Sequence, residues 1–377
     1  MSDSTDPAPL VRDYYLLIPH PTRPQVLMQA GAAGWSLPHF QSADPDLFAG
    51  GLIRQEMHAQ LGIDVTLLRT ALADIDPALQ RWRWAVIAVE NHSPAWAPPP
   101  GNHWVDRAMV RDLPLAQPEQ QETIAAYLAE QESGNLPGQR TPWARPGWLA
   151  RATAWMAAEL GRRDLGLLGP VEQLKSWSIS CLLRGSTPAG TVYFKATPDL
   201  PLFAHEPAVT ATLAAEFPGH IPMPLAVQPA ERWMLLADFG GTLLAATPDP
   251  ARETALCVLA AIQQAAVTRV DRLLAAGCLD RRLPALVAAI DPLIRDTETF
   301  GILEPAQLAR LQAAAPRLAA LAEALAEYRV PQTLIHGDLH DHNIAMRAGV
   351  PLFFDWSDSA IAHPFFDLAT LLDTRHL

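Results

Sequence analysis

The fold of this chain is decided by the stretch His336-Gly337-Asp338-Leu339-His340-Asp341-His342-Asn343, which is followed by Phe353-Phe354-Asp355-Trp356. Segments 344–346 and 351–354 are typical of two strands joined by a turn near Gly349. This register places Asn343 opposite Phe354 or Asp355, with Cβ atoms about 4.5–5.5 Å apart. An amide oxygen and a carboxylate at that distance can share one Mg²⁺, a cation that prefers oxygen ligands. The stretch therefore predicts a hairpin with a metal site, and Asp338 in the loop before it can reach a substrate hydroxyl.

The spacing H-x-D-x-x-x-x-N, with a further Asp after an apolar strand, is typical of kinases. Three features resemble the aminoglycoside phosphotransferase/choline kinase family: the H-G-D form, the short gap to Asp355, and Asp-Trp in place of D-F-G. Segment 363–369 resembles that family too. The resemblance implies that Asp338 is the catalytic base, that Asn343 and Asp355 hold Mg²⁺, and that ATP is the phosphoryl donor. The alternative is a loop whose acidic residues are fortuitous.

The upstream sequence holds the chain's two lysines, Lys175 and Lys195, where arginine is otherwise used for cations. The strand 192–195 resembles the V-A-I-K strand, whose lysine contacts the α- and β-phosphates. The segment 174–184 resembles a serine-bearing nucleotide loop, which gives Ser176 and Ser178 as phosphate contacts. Alternating serines in an edge strand would give the same pattern.

Three further nucleotide-site residues follow from the resemblance. Glu206 begins a predicted helix and is the expected partner of Lys195, with Glu216 as its rival; a solvated helix-start carboxylate is the alternative. The strand 233–237 resembles the hinge that binds adenine through its backbone, which gives Leu236 and Asp238. The Asp238-Phe239-Gly240 triplet precedes the H-G-D loop, so it is not the metal-binding motif.

The N-terminal part resembles a Nudix domain. Strands are predicted at 14–18, with a hairpin partner at 25–29, and at 82–89; an amphipathic helix is predicted over 48–61. Of the Nudix helix carboxylates only Glu56 remains, because Ala59 and Gln60 stand at two of the other positions. We expect a Nudix-like fold without hydrolase activity or bound metal; the alternative is an unrelated small α/β domain.

The composition limits the partners and the location. A net charge of −12 argues against nucleic acid as a partner, and no apolar run is long enough to span a bilayer. Three cysteines without disulfide or metal spacing fit a reducing cytoplasm. The oligomeric state is left open.

The two resemblances imply an α+β chain with a bilobal protein-kinase-like fold behind a Nudix-like α/β domain. The expected boundaries are 1–135 for the Nudix-like domain, 136–147 for the linker, and 148–377 for the kinase domain. Within the last, 148–240 is the small lobe and 241–377 the large lobe, helical over 252–329. The chain ends 22 residues after Asp355, which is short for the family.

Three functions compete at this point. The first is an ATP-dependent small-molecule kinase whose acceptor is a hydroxyl, as in aminoglycosides, choline or a metabolite. The second is a catalytically impaired, nucleotide-binding regulatory protein. The third is a Nudix-type diphosphate hydrolase, against which Ala59 and Gln60 argue. Neither the acceptor nor the choice of ATP over GTP follows from the sequence.

Overall fold

The computed structural model describes residues 11–44, 48–76, 81–296, 300 and 303–371. Its helices and strands form a mixed α+β architecture, which confirms the α+β part of the predicted fold class. The chain divides into two compact units, Met1–Pro198 and Asp199–Leu377.

The first unit contains ten strands and four helices among its described residues. The strands are β1 (Arg12–Leu17), β2 (Val26–Gly31), β3 (Gly34–Ser36), β4 (His39–Ser42), β5 (Val65–Asp76), β6 (Arg81–Asn91), β7 (Asn102–Val105), β8 (Glu172–Ser176), β9 (Cys181–Thr187) and β10 (Gly190–Ala196). The helices are α1 (Gly50–Leu61), α2 (Arg107–Asp112), α3 (Gln121–Ser133) and α4 (Trp148–Gly161).

A mixed sheet with the order β4-β1-β6-β5 is the centre of the N-terminal part. Strands β1 and β6 pair in parallel, and the other two pairs are antiparallel. Side chains alternate along β1, so Tyr14 and Leu16 pack in the core that includes Ile53 and Met57 of α1. The neighbouring Tyr15 and Leu17 face the other way, into the core formed with α3. The predicted helix over 48–61 is confirmed as α1, which ends at Gly62 in the left-handed conformation.

The predicted hairpin between segments 14–18 and 25–29 is wrong. Strand β2 belongs to a separate antiparallel sheet with the order β3-β2-β7. The reason is that both edges of β1 are already taken by β4 and β6. The neighbouring ends of the two segments are still bonded, since the Leu27 N–H donates to the Ile18 carbonyl over 3.0 Å. The Nudix-like assignment of this part stays a prediction.

The boundary of the first unit lies at Pro198, far beyond the predicted linker 136–147. The reason is that β8 is bonded to the N-terminal sheet. The Gln173 side-chain amide accepts from the Leu67 N–H and donates to the Leu67 carbonyl, each over 2.9 Å. The Ser176 N–H donates to the Phe48 carbonyl over 3.1 Å. The domain boundaries given by the sequence stay a prediction.

The second unit contains eight strands and six helices among its described residues. The strands are β11 (Ala226–Gln228), β12 (Trp233–Ala237), β13 (Thr242–Leu243), β14 (Leu279–Asp280), β15 (Thr333–Ile335), β16 (Ile344–Arg347), β17 (Val350–Phe353) and β18 (Ala360–Ala362). The helices are α5 (Glu206–Glu216), α6 (Asp249–Ala266), α7 (Val270–Ala276), α8 (Leu283–Ile294), α9 (Pro305–Glu327) and α10 (Phe366–Leu371).

The core of the second unit surrounds the β16–β17 hairpin. Buried residues of α5, α6 and α7 pack there against Ile344, Phe353 and Trp356. The hairpin turns at Ala348 and Gly349, both with positive φ, as a two-residue turn with this twist requires. The turn therefore lies where the sequence predicted it. Over its described residues, the predicted helical stretch 252–329 is confirmed as α6 to α9, with the short strand β14 between α7 and α8.

Candidate active site

The H-G-D loop follows β15, and one buried carboxylate, that of Asp367, accepts hydrogen bonds from its backbone. Asp367, only 1% exposed, accepts the N–H of His336 over 3.0 Å and the N–H of Gly337 over 2.9 Å. Its oxygen also accepts from the Gln263 side-chain amide over 3.1 Å. The pKa of the Asp367 carboxyl is raised, because the effect of burial outweighs the lowering by these hydrogen bonds. Asp367, which resembles a structural residue of the family, therefore supports the H-G-D loop.

His336 ties the loop to the end of the hairpin. Its Nε2 lies 2.9 Å from the Phe354 carbonyl oxygen, and its ring packs on Trp356 with centroids 4.6 Å apart. The side chain is fully buried. The loop before Asp338 and the strand before Asp355 are thus held in one arrangement.

Gly337 is required by the close approach of the backbone. Its φ is +85°, and a Cβ built there would lie 2.2 Å from the Asp358 carbonyl oxygen. Any other residue would be strained in this conformation and would also collide. The glycine in the H-G-D motif therefore brings Asp338 close to the segment that follows Asp355.

Asp338 and Asn343 are in contact. The Asn343 Nδ2 donates to the Asp338 carbonyl over 2.9 Å and lies 3.3 Å from the Asp338 Oδ2. His340 adds a third group, with its Nε2 3.5 Å from that same oxygen. The Asp338 side chain is 49% exposed. A carboxylate that is held through one oxygen and is half-exposed can accept a proton from a bound hydroxyl.

The hairpin places Asn343 beside the chain that leads to Asp355. Ile344 pairs with Phe353, and the Phe354 N–H donates to the Asn343 carbonyl over 3.1 Å. The predicted register of the hairpin is therefore confirmed. Asp355 itself adopts a left-handed conformation with φ +63°, directly after β17.

Asp358 is a third carboxylate at this site, and the sequence analysis missed it. The Ser357 Oγ lies 3.0 Å from one carboxylate oxygen of Asp355 and 3.0 Å from one of Asp358. Burial raises the pKa of Asp358, and the charges of Asp338 and Asp355 raise it further. The charge of Asp358 thus interacts with those of Asp338 and Asp355, and a divalent cation would relieve this repulsion.

The residues present fit a Mg²⁺ site that is completed by substrate. No group of three or more His, Cys, Asp or Glu side chains suited to a metal occurs among the described residues. Mg²⁺ is usually held by one or two carboxylates together with substrate phosphates and water. Asn343 holds Asp338 through its amide nitrogen, so these hydrogen bonds do not use its amide oxygen, the atom that would bind a metal. Asn343 and Asp355 are therefore suitable as the protein ligands.

Lys195 and the serine loop belong to the first unit. Lys195 on β10 pairs with Leu182 on β9, and Leu182 pairs with Lys175 on β8. Residues opposite each other in paired strands point to the same face. Both lysines of the chain thus share one face, a relation that the sequence analysis missed for Lys175.

The two predicted serines differ in accessibility. Ser176 pairs with Cys181 and is 2% exposed, whereas Ser178 lies in the exposed turn between β8 and β9. The turn is closed by the Trp177 N–H, which donates to the Ser180 carbonyl over 3.0 Å. Of the two, Ser178 is the hydroxyl open to a ligand; the contact of Ser176 with nucleotide stays a prediction.

Glu206, Leu236 and Asp238 belong to the second unit. Glu206 is the first residue of α5 and is 2% exposed. Leu236 is half-buried near the end of β12, and the Asp238 Oδ1 accepts the Gly240 N–H over 2.8 Å. The pairing of Lys195 with Glu206 stays a prediction, and so does the convergence of Lys195 with Asp338, Asn343 and Asp355.

The comparison with protein families matches one stretch of the chain, which begins on β10 of the first unit and continues through the second. Residues 191–376 match the model described as "Phosphotransferase enzyme family". This stretch is a phosphotransferase-family domain. The match confirms the predicted enzyme class, a phosphotransferase. The phosphotransferase domain includes Lys195 and every residue of the H-G-D loop and the hairpin.

Solved structures with similarity to this chain carry related names. A macrolide 2′-phosphotransferase type I has 18% identity and a TM-score of 0.41, covering 58% of this chain and 75% of that one. A putative fructosamine-3-kinase from Thermobifida fusca has 20% identity and a TM-score of 0.43, covering 57% and 77%. An aminoglycoside phosphotransferase in complex with ADP and hygromycin B has 14% identity and a TM-score of 0.41, covering 58% and 74%. The family match, and not these similarities, carries the functional inference.

Two further comparisons bear on the chain. A search of curated proteins found no match. Within the described ranges, no helix combines the length and the hydrophobicity needed to cross a bilayer.

Proposed function

We propose that this chain transfers the γ-phosphate of Mg-ATP to a hydroxyl group of a small molecule. The observation that carries the proposal is the contact of Asp338 with Asn343, at the start of a hairpin that ends in Asp355. This is the order and spacing of a base and two metal ligands in phosphoryl transfer. The phosphotransferase domain match supports the same reaction.

Asp338 acts on the acceptor. Its half-exposed carboxylate orients the attacking hydroxyl and accepts its proton as the new O–P bond forms. His340 and Asn343 both lie next to the Asp338 Oδ2, which leaves Oδ1 to face the hydroxyl. The hydroxyl proton passes to the Asp338 carboxylate. The bond between the γ-phosphorus and the bridging oxygen breaks as the new O–P bond forms, and ADP is the leaving group.

Asn343 and Asp355 hold the cation. Mg²⁺, when bound, would neutralise the charge that develops on the transferred phosphate. The chain contributes an amide oxygen, a carboxylate, and Asp358 nearby as a further negative charge. The Ser357 hydroxyl lies within hydrogen-bonding distance of the carboxylates of both Asp355 and Asp358.

The resemblance to the family assigns the remaining predicted residues to nucleotide binding. Lys195 contacts the α- and β-phosphates, with Glu206 as its ionic partner, and the serine loop contributes Ser178 and the backbone of residues 176–180. The hinge residues Leu236 and Asp238 bind the adenine. Lys175 supports this assignment, since it shares the face of Lys195 and adds a second positive charge. The N-terminal part is proposed as a Nudix-like module without hydrolase activity, located with the rest of the chain in the cytoplasm.

The test is a turnover screen with Mg-ATP and a panel of hydroxyl acceptors. The panel includes macrolides, hygromycin B, a fructosamine and choline, which the similar structures suggest. Mass spectrometry should detect a product heavier by one phosphate, and the Asp338→Asn variant should not form it. A protein that binds Mg-ATP and phosphorylates no acceptor would instead indicate a regulatory role. Hydrolysis of nucleoside diphosphate derivatives that Glu56→Gln abolishes would refute the assignment of the N-terminal part.

A further inference from the structure

A cavity lies within the first unit. Its volume is about 380 Å³, within the range of small-molecule sites. Segments from β5, the linker before α4, and the turn after β8 contribute to its wall. The lining residues are Phe48, Leu68, Arg69, Thr70, Pro137, Gln139, Arg140, Thr141, Trp143, Ala144, Ser176, Trp177 and Ser178.

The cavity wall carries an excess of positive charge. Arg69 and Arg140 both contact the single carboxylate of Glu130, with nitrogen–oxygen distances of 3.2 and 2.7 Å. The two arginine side chains are only 21% and 13% exposed. No acidic side chain occurs among the described residues that line the cavity. Two partly buried guanidinium groups thus share one negative charge, and a further anion would balance the second.

The remainder of the wall suits a flat apolar body. The rings of Phe48 and Trp177 lie 5.8 Å apart, and Trp143 is held by its indole N–H, which donates to the Trp177 carbonyl over 2.7 Å. The Ser176 hydroxyl is buried without a nitrogen or oxygen partner among the described residues, beside the Cys181 thiol. A polar group of this kind in a cavity wall can accept or donate a hydrogen bond to a ligand.

The cavity shares Ser176 and Ser178 with the serine loop proposed for the nucleotide, but the Ser176 side chain lies on the opposite face of the strands from Lys195. Ser176 pairs with Cys181, and Cys181 pairs with Ala196, so these three share the face opposite to that of Lys195. Their face is buried, whereas Lys195 and Lys175 on the other face are half-exposed. Lys195 therefore lies on the other face of these strands from Ser176, which lines the cavity together with Arg69 and Arg140.

We infer that this cavity binds a small organic anion, with Arg69 and Arg140 on its charged group and Trp143 and Trp177 against its apolar body. Arginine presents a planar fork that matches carboxylate and phosphate oxygens. The ligand would contact the residues that hold the serine loop, since Trp143 bonds to Trp177 and Phe48 bonds to Ser176. The inference of binding does not depend on the proposed kinase activity.

The experiment is calorimetric titration of the full chain with phenyl phosphate, benzoate and the neutral benzyl alcohol. Phenyl phosphate and benzoate separate a phosphate-binding from a carboxylate-binding site. We expect at least one anion to bind, and Arg140→Gln to weaken it by about tenfold or more, because hydrogen bonds to charged groups are strong. Thr141→Trp should also abolish binding by filling the cavity, without touching the Arg69–Glu130–Arg140 network.

Two controls locate the binding. Arg111→Gln removes an exposed arginine of α2 outside the cavity and should leave the affinity unchanged. Lys195→Met should also leave it unchanged, because Lys195 faces the other side of the sheet. The inference is overturned if neither anion binds, if benzyl alcohol binds as tightly as the anions, or if Lys195→Met abolishes binding while Thr141→Trp does not.

Discussion

Replacement of Asp338 by asparagine separates chemistry from folding. The side chain is 49% exposed, and its Oδ2 lies 3.3 Å from the Asn343 Nδ2 and 3.5 Å from the His340 Nε2. Asparagine keeps the shape and one acceptor oxygen, so the free energy of unfolding should change by less than about 1 kcal/mol. The loss of the proton acceptor should lower the turnover rate by about 10²–10⁴-fold. At about 1.36 kcal/mol per tenfold, this corresponds to roughly 3–5 kcal/mol in the activation barrier.

The assay combines initial rates with the best acceptor, calorimetric titration of Mg-ATP, and thermal unfolding. The affinity for Mg-ATP should be close to that of the parent, since Asp338 faces the acceptor and not the nucleotide. Asp271→Asn, an exposed aspartate on α7, is the matched control and should keep full turnover. Full turnover in Asp338→Asn would refute the proposed base. A loss of Mg-ATP affinity would show that the residue belongs to the metal site instead.

Three other predictions concern the loop, the nucleotide and the first unit. Gly337→Ala should destabilise the chain by more than the roughly 1–2 kcal/mol of left-handed strain, because its Cβ would collide with the Asp358 carbonyl. Gly349→Ala, with a similar φ of +82° and open space, should show that strain alone in a denaturation midpoint; equal effects would contradict the collision. Asp355→Asn should weaken Mg-ATP binding together with turnover, and Lys195→Arg should impair both; parent-like calorimetric affinity in Asp355→Asn would exclude it as a metal ligand. Burial raises the pKa of Glu130, but Arg140 and Arg69 lower it more, so its folded-state pKa lies below the usual value. Its ionic contribution is therefore present above the unfolded pKa of about 4.3 and lost as pH falls through the folded value; the gap in melting temperature between the parent and Glu130→Gln should close in acid, and a constant gap would contradict this.

The sequence by itself determined the hairpin and the order of the site residues. Segments 344–347 and 350–353 are joined by two residues, and such a short turn fixes the register of both strands. Asn343 and Asp355 follow from that register, and Asp338 lies only five residues before Asn343. These contacts are local in the chain, so spacing and turn chemistry were sufficient to predict them.

The tertiary structure alone decided which groups surround this site and how the first unit is built. Asp358 joins the carboxylates because Gly337 lets the H-G-D loop approach its carbonyl, a contact that no periodicity indicates. Strand β1 lies between β4 and β6, and so the predicted partner at 25–29 was wrong.

The sequence also did not indicate which side chains of β8 and the serine loop lie on the same face of the sheet. An irregularity between Gln173 and Lys175 shifts the register of β8 by one residue, and a shift of one residue turns each following side chain to the opposite face. It places Lys175 with Lys195 and buries Ser176. The Gln173 amide then bonds to Leu67, 106 residues away, and sets the boundary of the first unit at Pro198. Which distant segments pair depends on how all the strands and helices of the unit pack together, and local sequence patterns do not contain that information.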